Sequence, residues 1–197
     1  MHNCWVLLAR RGTFSVITLS PATVEANIKP CCSFVPLRNL TEYGRVIQCH
    51  DLLCRLASYD YSEYNNELKK ATGARPKAHD LVGFMENNKV VCDGYANAYS
   101  WMLMELGIDS YIVSGRGNDG GHAWNKVCLN GRWYNVDACW DDTSRDLRRY
   151  FLKSDEWMTE HRHSFTDAFS TTTFRSPESC SAVSGTAGVV SKTFIDI

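Results

Sequence analysis

Apolar positions recur along one stretch at Tyr95, Ala98, Tyr99, Met102, Leu103 and Leu106, the three-and-four spacing of a one-faced helix. Gly107 follows, where a left-handed cap ends such a helix. Immediately upstream, Val90-Val91-Cys92-Asp93-Gly94 passes from an extended or loop segment into the helix, so Cys92 falls at its N-terminus. The same periodicity predicts a second helix over 43–57, from Val46, Ile47, Leu52, Leu53 and Leu56, and a short one over His79–Met85. Residues 62–77, carrying Asn65-Asn66, Gly73 and Pro76, read as a polar loop.

Beyond the central helix the period shortens. Ser110–Ser114 is a β-like run, and four glycines within residues 115–121 read as a flexible loop. His122–Leu129 and Arg132–Asp137 are rich in aromatic and β-branched residues and flank Asn130-Gly131, the strongest short hairpin signal. A two-residue turn sets Leu129 opposite Arg132, and regular pairing then sets Trp124 opposite Asp137 and His122 opposite Cys139. Cross-strand partners point to one side, so His122 and Asp137 become diagonal neighbours ~7–8 Å apart.

The flanks are less regular. Residues 1–40 hold Pro21, Pro30 and Pro36 and no clean period, with a strand expected near Phe14–Leu19. Tyr150-Phe151-Leu152 reads as a short strand and Ser154–His163 as a turn with a helical piece. From Phe174 the chain turns to Ser, Thr, Gly and Ala, the composition of a linker or poorly ordered end. The expected organisation is an N-terminal extension over 1–42, a catalytic domain over 43–170 and a Ser/Thr-rich tail over 171–197.

Composition narrows the function classes. Hydrophobic residues at 44% and charged residues at 22% are globular values, and a net charge of −1 leaves no nucleic-acid footprint. No apolar run reaches the ~18 residues of a bilayer span. Trp5–Ala9 is apolar but short and is broken by Arg10-Arg11, unlike a secretory signal. A cytoplasmic or a secreted, cell-surface location in a bacterium both fit. Nine cysteines, an odd number without a Cys-x-x-Cys pair, compel no disulfide framework and fit mostly reduced, buried thiols. A zinc centre built from Cys31, Cys32, Cys49, His50, Cys54, His161 and His163 fits no common ligand spacing, so no metal is expected. His161 and His163 read as surface residues near a helix end.

The chemistry that does fit is nucleophilic. Unpaired N–H groups and the positive dipole end favour a thiolate at a helix start, although the Asp93 charge opposes it and calls for a base elsewhere. His122 supplies that base, and Asp137 would accept its second ring N–H and set the tautomer. The backbone N–H of Cys92 offers an oxyanion donor. A second donor is left open between Tyr59, Tyr61 and other groups.

Val91-Cys92-Asp93-Gly94-Tyr95-Ala96, then Gly121-His122-Ala123-Trp124-Asn125, then Trp133-Tyr134-Asn135-Val136-Asp137 and Trp140-Asp141-Asp142 resemble the transglutaminase-like superfamily in its bacterial form. The resemblance covers roughly residues 43–165, with Tyr59-Asp60-Tyr61 and Tyr150–Asp155 similar to its flanks. It implies an α+β, papain-like cysteine proteinase fold with a central Cys-bearing helix packed on an antiparallel β-sheet. It also implies Cys92 as nucleophile, His122 as general base then acid, and Asp137 as the orienting carboxylate. The activity implied is acyl transfer on amide bonds of a protein or peptide through a thioester, foremost as a peptidase or amidase. A crosslinking transglutaminase and a catalytically silent binding module are the alternatives. No cofactor is implied, and no EF-hand calcium loop is present. Val90-Val91 and Cys139 depart from the usual residues, the latter placing a second thiol opposite His122 where an off-pathway disulfide would form.

Overall fold

The computed structural model describes residues 5–10, 13–18, 37–68, 77–118, 120–144 and 146–180. Near the N-terminus β1 (Trp5–Arg10) and β2 (Thr13–Thr18) pair as an antiparallel hairpin, more regular than the irregular segment expected there. The main body then begins with α1 (Glu42–Leu56), whose N-cap Thr41 accepts the Gly44 N–H at 3.1 Å. A parallel two-residue bridge joins β3 (Ser58–Tyr59) to β4 (Lys89–Val90). Between them lie α2 (Tyr61–Leu68) and α3 (Leu81–Asn87), the latter capped by Asp80. The helix α2 replaces the first part of the expected polar loop. Asp60 makes the difference, since its carboxylate accepts both the Ser62 and Glu63 N–H groups at 3.1 Å and opens the helix.

Helix α4 (Cys92–Glu105) is the centre of the molecule. The whole predicted face, Tyr95, Ala98, Tyr99, Met102, Leu103 and Leu106, is buried, and so are Ala96 and Trp101. It is buried on more than one side because α1 and the main sheet both pack against it. Tyr99 donates its hydroxyl to the Val46 carbonyl in α1 at 2.9 Å. On the sheet side, Asn125 donates to the Ala96 carbonyl at 3.0 Å, a buried amide fixing strand against helix.

That sheet has the order β7-β6-β5-β8, all antiparallel: β5 (Ser110–Gly117), β6 (Gly120–Leu129), β7 (Arg132–Val136) and β8 (His163–Phe165). The Asn130-Gly131 turn has φ of 50° and 75°, and Leu129 pairs with Arg132 as the sequence predicts. Pairing holds to Asn125↔Val136 and stops there. Asp137 is instead the N-cap of α5 (Ala138–Thr143), so Trp124–Asp137 and His122–Cys139 are not strand partners. Cys139 is a buried helical residue, and burial foremost raises its thiol's pKa, a correction to its expected place opposite His122. The six described cysteines, Cys49, Cys54, Cys92, Cys128, Cys139 and Cys180, are all free thiols.

The expected flexible glycine loop is mostly strand, with β5 and β6 closing through a tight turn at Asn118. Tyr150–Leu152 is no strand. Only Lys153 bridges Asn135, and Leu152 adopts φ of 53°. Two short helices, α6 (Asp155–Glu160) and α7 (Ala168–Thr171), flank β8. The described part of the Ser/Thr-rich segment is packed rather than loose. Ser176 is buried and accepts a hydrogen bond from the buried Lys126 ammonium at 2.8 Å, while Lys126 also pairs with Asp155. Residues 181–197, also part of that expectation, lie outside the described residues.

Gly94 shows why the helix turn that carries Cys92 tolerates no side chain there. A Cβ there would stand 2.4 Å from the Ala78 carbonyl oxygen and 2.6 Å from Val90 Cβ. Helix propensity alone would reward Gly94→Ala by ~1 kcal/mol. The clash is with backbone, which cannot swing aside, and overpacking costs ~1–3 kcal/mol. Gly94→Ala is therefore expected to destabilise, and a denaturant midpoint at or above wild type would contradict this packing.

Candidate active site

Cys92, the first residue of α4, follows Val91, which contributes no side-chain cap. The first N–H groups of the helix therefore face the site without an intrahelical acceptor. The Cys92 thiol donates to the Asp93 carboxylate at 3.2 Å, and Cys92 is near enough to the His122 ring to help raise that ring's pKa. Asp93 is not an isolated negative charge, since its second oxygen is 3.4 Å from Nδ1 of the buried His79.

His122 comes from β6 and Asp137 from the start of α5. Their Nε2 and Oδ2 atoms are 2.7 Å apart, both side chains almost wholly buried. The sequence-derived proximity is thus realised, but through the N-cap position rather than through continued strand pairing. Asp137 Oδ1 accepts the Trp140 N–H at 3.0 Å, so the helix start fixes the carboxylate's orientation. Trp140 lies over His122 with ring centroids 5.0 Å apart, and Trp124 lies on it at 6.0 Å. These rings exclude water from the imidazole.

The electrostatics follow from that packing. Burial disfavours a charged His122 ring, but the charge and hydrogen bond of Asp137, then those of Cys92, outweigh it and push its pKa up to about 10. Asp137 is wholly buried, which alone would raise it. The charges and hydrogen bonds of His122 and His163 overcome burial and hold it well below the usual carboxylate range.

His163 is the residue that the sequence reading misplaced. Expected at the surface, it is 1% exposed, and its Nε2 is 2.9 Å from Asp137 Oδ2. Nothing local announces this. Burial of an imidazole 26 residues from its partner depends on β8 joining the sheet beside β5. His161 stays at the α6 end, stacked on Trp157 at 3.6 Å.

Among the described residues, His122, Asp137 and His163 bring ligand-type atoms within 4.8 Å of one another. The nitrogen–oxygen separations of 2.7 and 2.9 Å are hydrogen-bond spacings. Tetrahedral ligands ~2.0–2.1 Å from zinc would stand ~3.4 Å apart, so the trio is built to share protons. Of the other residues weighed for zinc, Cys31 and Cys32 lie outside the described residues. His50 has both ring nitrogens on carboxylates, Asp51 at 3.2 Å and Asp141 at 2.9 Å, with Cys54 at 3.8 Å.

Comparison with known proteins adds a family. Residues 39–138 match the transglutaminase-like superfamily. Kyphoscoliosis peptidase of Mus musculus is 26% identical over 133 residues, 61% of this chain and 19% of the relative. The Homo sapiens protein of the same name is 26% identical over 136 residues, covering 63% and 20%. The chain thus spans about a fifth of the length of these relatives. A solved TGase structure superposes with a TM-score of 0.50 at 20% identity, covering 59% of this chain and 31% of that one. The architecture is the α+β papain-like one, a cysteine-bearing helix against an antiparallel sheet. No helix among the described residues is long and apolar enough to cross a membrane.

Proposed function

We propose, on the premise that this chain belongs to the transglutaminase-like superfamily, that Cys92, His122 and Asp137 perform thiol-dependent acyl transfer on amide bonds of a protein or peptide. The observation that carries the reading is the buried 2.7 Å His122–Asp137 pair, with Cys92 at the uncapped helix start near enough to His122 to raise its pKa. With Nε2 held by Asp137, the opposite ring nitrogen is the one available to exchange a proton with sulfur. The sulfur attacks the amide carbonyl, and the Cys92 N–H at the uncapped helix start receives the developing oxyanion. As the C–N bond breaks, His122 gives its proton to the departing amine and a thioester remains. Water, activated by the now neutral His122, hydrolyses it and returns the thiol. The peptidase names of the curated relatives favour water as acceptor. A lysine amine reaching the same thioester would give a crosslink.

Mass spectrometry of a peptide library incubated with the protein and a primary amine tests this directly. Cleavage or deamidation is expected in the wild type and not in Cys92→Ala. Amine incorporation would instead identify the crosslinking reaction, and no conversion would remove the reading. A silent module is distinguished by thiol labelling. Cys92 alkylation at neutral pH should be rapid and should be lost in His122→Ala.

The pH dependence has a defined sign. His122 holds its proton below about 10, so kcat/KM should persist through pH 8–9 and fall as pH rises through about 10. The same ring contributes to folding. Its pKa is raised above the ~6.5 of the unfolded chain, so its stabilisation is complete below ~6.5 and is lost as pH rises through about 10. Denaturant midpoints measured from pH 6 to 10.5 should decline over that window.

A further inference from the structure

Two histidine rings meet on Asp137 because, on their face of the sheet, the end of the strand between them presents only Gly115 and Gly117. His122 pairs with Gly115 and His163 pairs with Gly117, so β5 runs between β6 and β8 as a trough. A Cβ at Gly117 would stand 3.1 Å from the His122 ring and 2.7 Å from Trp140. With glycine there, the His122 and His163 centroids come to 5.5 Å.

Both nitrogens of His163 are engaged in this arrangement. Its Nδ1 is 3.1 Å from the His161 carbonyl oxygen and its Nε2 is 2.9 Å from Asp137 Oδ2. A carboxylate can only accept, so the ring donates its Nε2 hydrogen to Asp137. It is enclosed by Trp140, Trp124 and Tyr150 at centroid distances of 4.2, 4.9 and 5.5 Å. The titratable groups facing it are Asp137 from α5, His122 from β6 with Cys92 beyond, and the Tyr150 hydroxyl. Tyr150 itself lies in the fields of Arg149, Asp137, Asp141 and Arg162.

The geometry points to His163 as a positioning residue for the triad proposed above: it grips the same Asp137 oxygen as His122 and takes a share of its acceptor capacity, thereby setting how firmly His122 holds the proton it delivers. Asp137 receives three N–H donors, from Trp140, His122 and His163, and cannot turn away from any of them without losing another. A second N–H donor on the same carboxylate oxygen weakens the hold of Asp137 on the His122 proton. His122 is thereby a more willing acid toward the leaving amine than a lone His–Asp pair would make it.

The test compares wild type, His163→Gln, His163→Phe and His122→Ala. It follows kcat, KM and their pH profiles on a cleaved peptide, together with iodoacetamide alkylation of Cys92 against pH. Glutamine keeps an N–H for Asp137, but on a weaker and less rigidly held donor, so it remains informative should phenylalanine prevent folding. His163→Gln is expected to lower kcat about 10- to 100-fold, as loss of an orienting partner does. KM should stay within about twofold, since the residue meets no substrate. The alkaline limb should move upward by about one pH unit, because Asp137 is then left more fully to His122. A folded His163→Gln with wild-type kcat and an unmoved alkaline limb would overturn this role. So would a loss confined to melting temperature. Equal alkylation of wild type and His122→Ala at every pH would overturn the triad reading itself, and with it this inference. A His122-dependent rate combined with an unchanged His163→Gln would overturn this inference alone.

Discussion

Asp137→Asn should lower kcat/KM for amide acyl transfer about 10⁴-fold while leaving the fold intact, the size seen where an orienting aspartate is replaced isosterically. The reason is a donor count. Asp137 accepts the Trp140 N–H on Oδ1 and two imidazole N–H groups on Oδ2. An amide has one oxygen, so either orientation turns its NH2 toward an N–H group. With the oxygen held by Trp140, the NH2 faces His122 and His163, and His122 is driven to the tautomer that cannot take the Cys92 proton. The charge that holds His122 up to about 10 is lost as well, so the alkaline limb should retreat toward ~6.5. Steady-state kinetics from pH 5 to 10.5 measure both effects. A loss below tenfold with an unmoved limb would mean that Asp137 is only a helix cap.

His50→Leu should be the most destabilising single change in the core, by about 3–5 kcal/mol, as for removal of one member of a buried ion pair. His50 is fully buried on α1, its ring donating toward Asp51 at 3.2 Å and Asp141 at 2.9 Å. Burial opposes its charge, but the hydrogen bonds to Asp141, Asp51 and Cys54 hold its pKa well above the ordinary histidine value. Asp51 passes the charge outward to Arg148. Without His50, buried Asp141 keeps only the Tyr150 N–H at 2.7 Å. Against a domain stability of ~5–15 kcal/mol the deficit is large, roughly 10 °C in Tm. Burial, working against His50, holds Asp141 up to about 6. Since His50 lowers that value, Asp141 in the variant takes its proton at a higher pH, and the deficit should narrow as pH falls and the carboxyl no longer needs a partner. His50→Leu combined with Asp141→Leu should cost less than His50→Leu alone, because no charge is left stranded. Urea titrations of the three variants decide it, and a cost below 1 kcal/mol for His50→Leu would show the network to be dispensable.

The same network marks a limit of sequence reading. Cys54, His50 and Asp141 are a thiol, an imidazole and a carboxylate in contact, the same three residue types as the candidate active site. What separates the two sets is place. Cys54 and His50 share the buried face of α1, whereas Cys92 sits at an uncapped helix end and is partly exposed. Neither property is written in residue identity.

Local rules carried far in this chain. The Tyr95–Leu106 periodicity predicted the buried face of α4 residue by residue, because a helix that packs must present the same side every three or four positions. Asn130-Gly131 set the β6–β7 register, because both residues tolerate the positive φ that a tight hairpin turn demands. Cys92 at a helix start and the nearness of His122 to Asp137 follow from those two elements. Tertiary structure decided the rest. It ended the hairpin at Val136 so that Asp137 caps a helix, and it brought β8 beside β5 to bury His163. It also drew Ser176 onto Lys126 and Asp155. The last two join residues far apart in the chain, and their energy comes from burial and charge pairing between them, which no local pattern of one segment records.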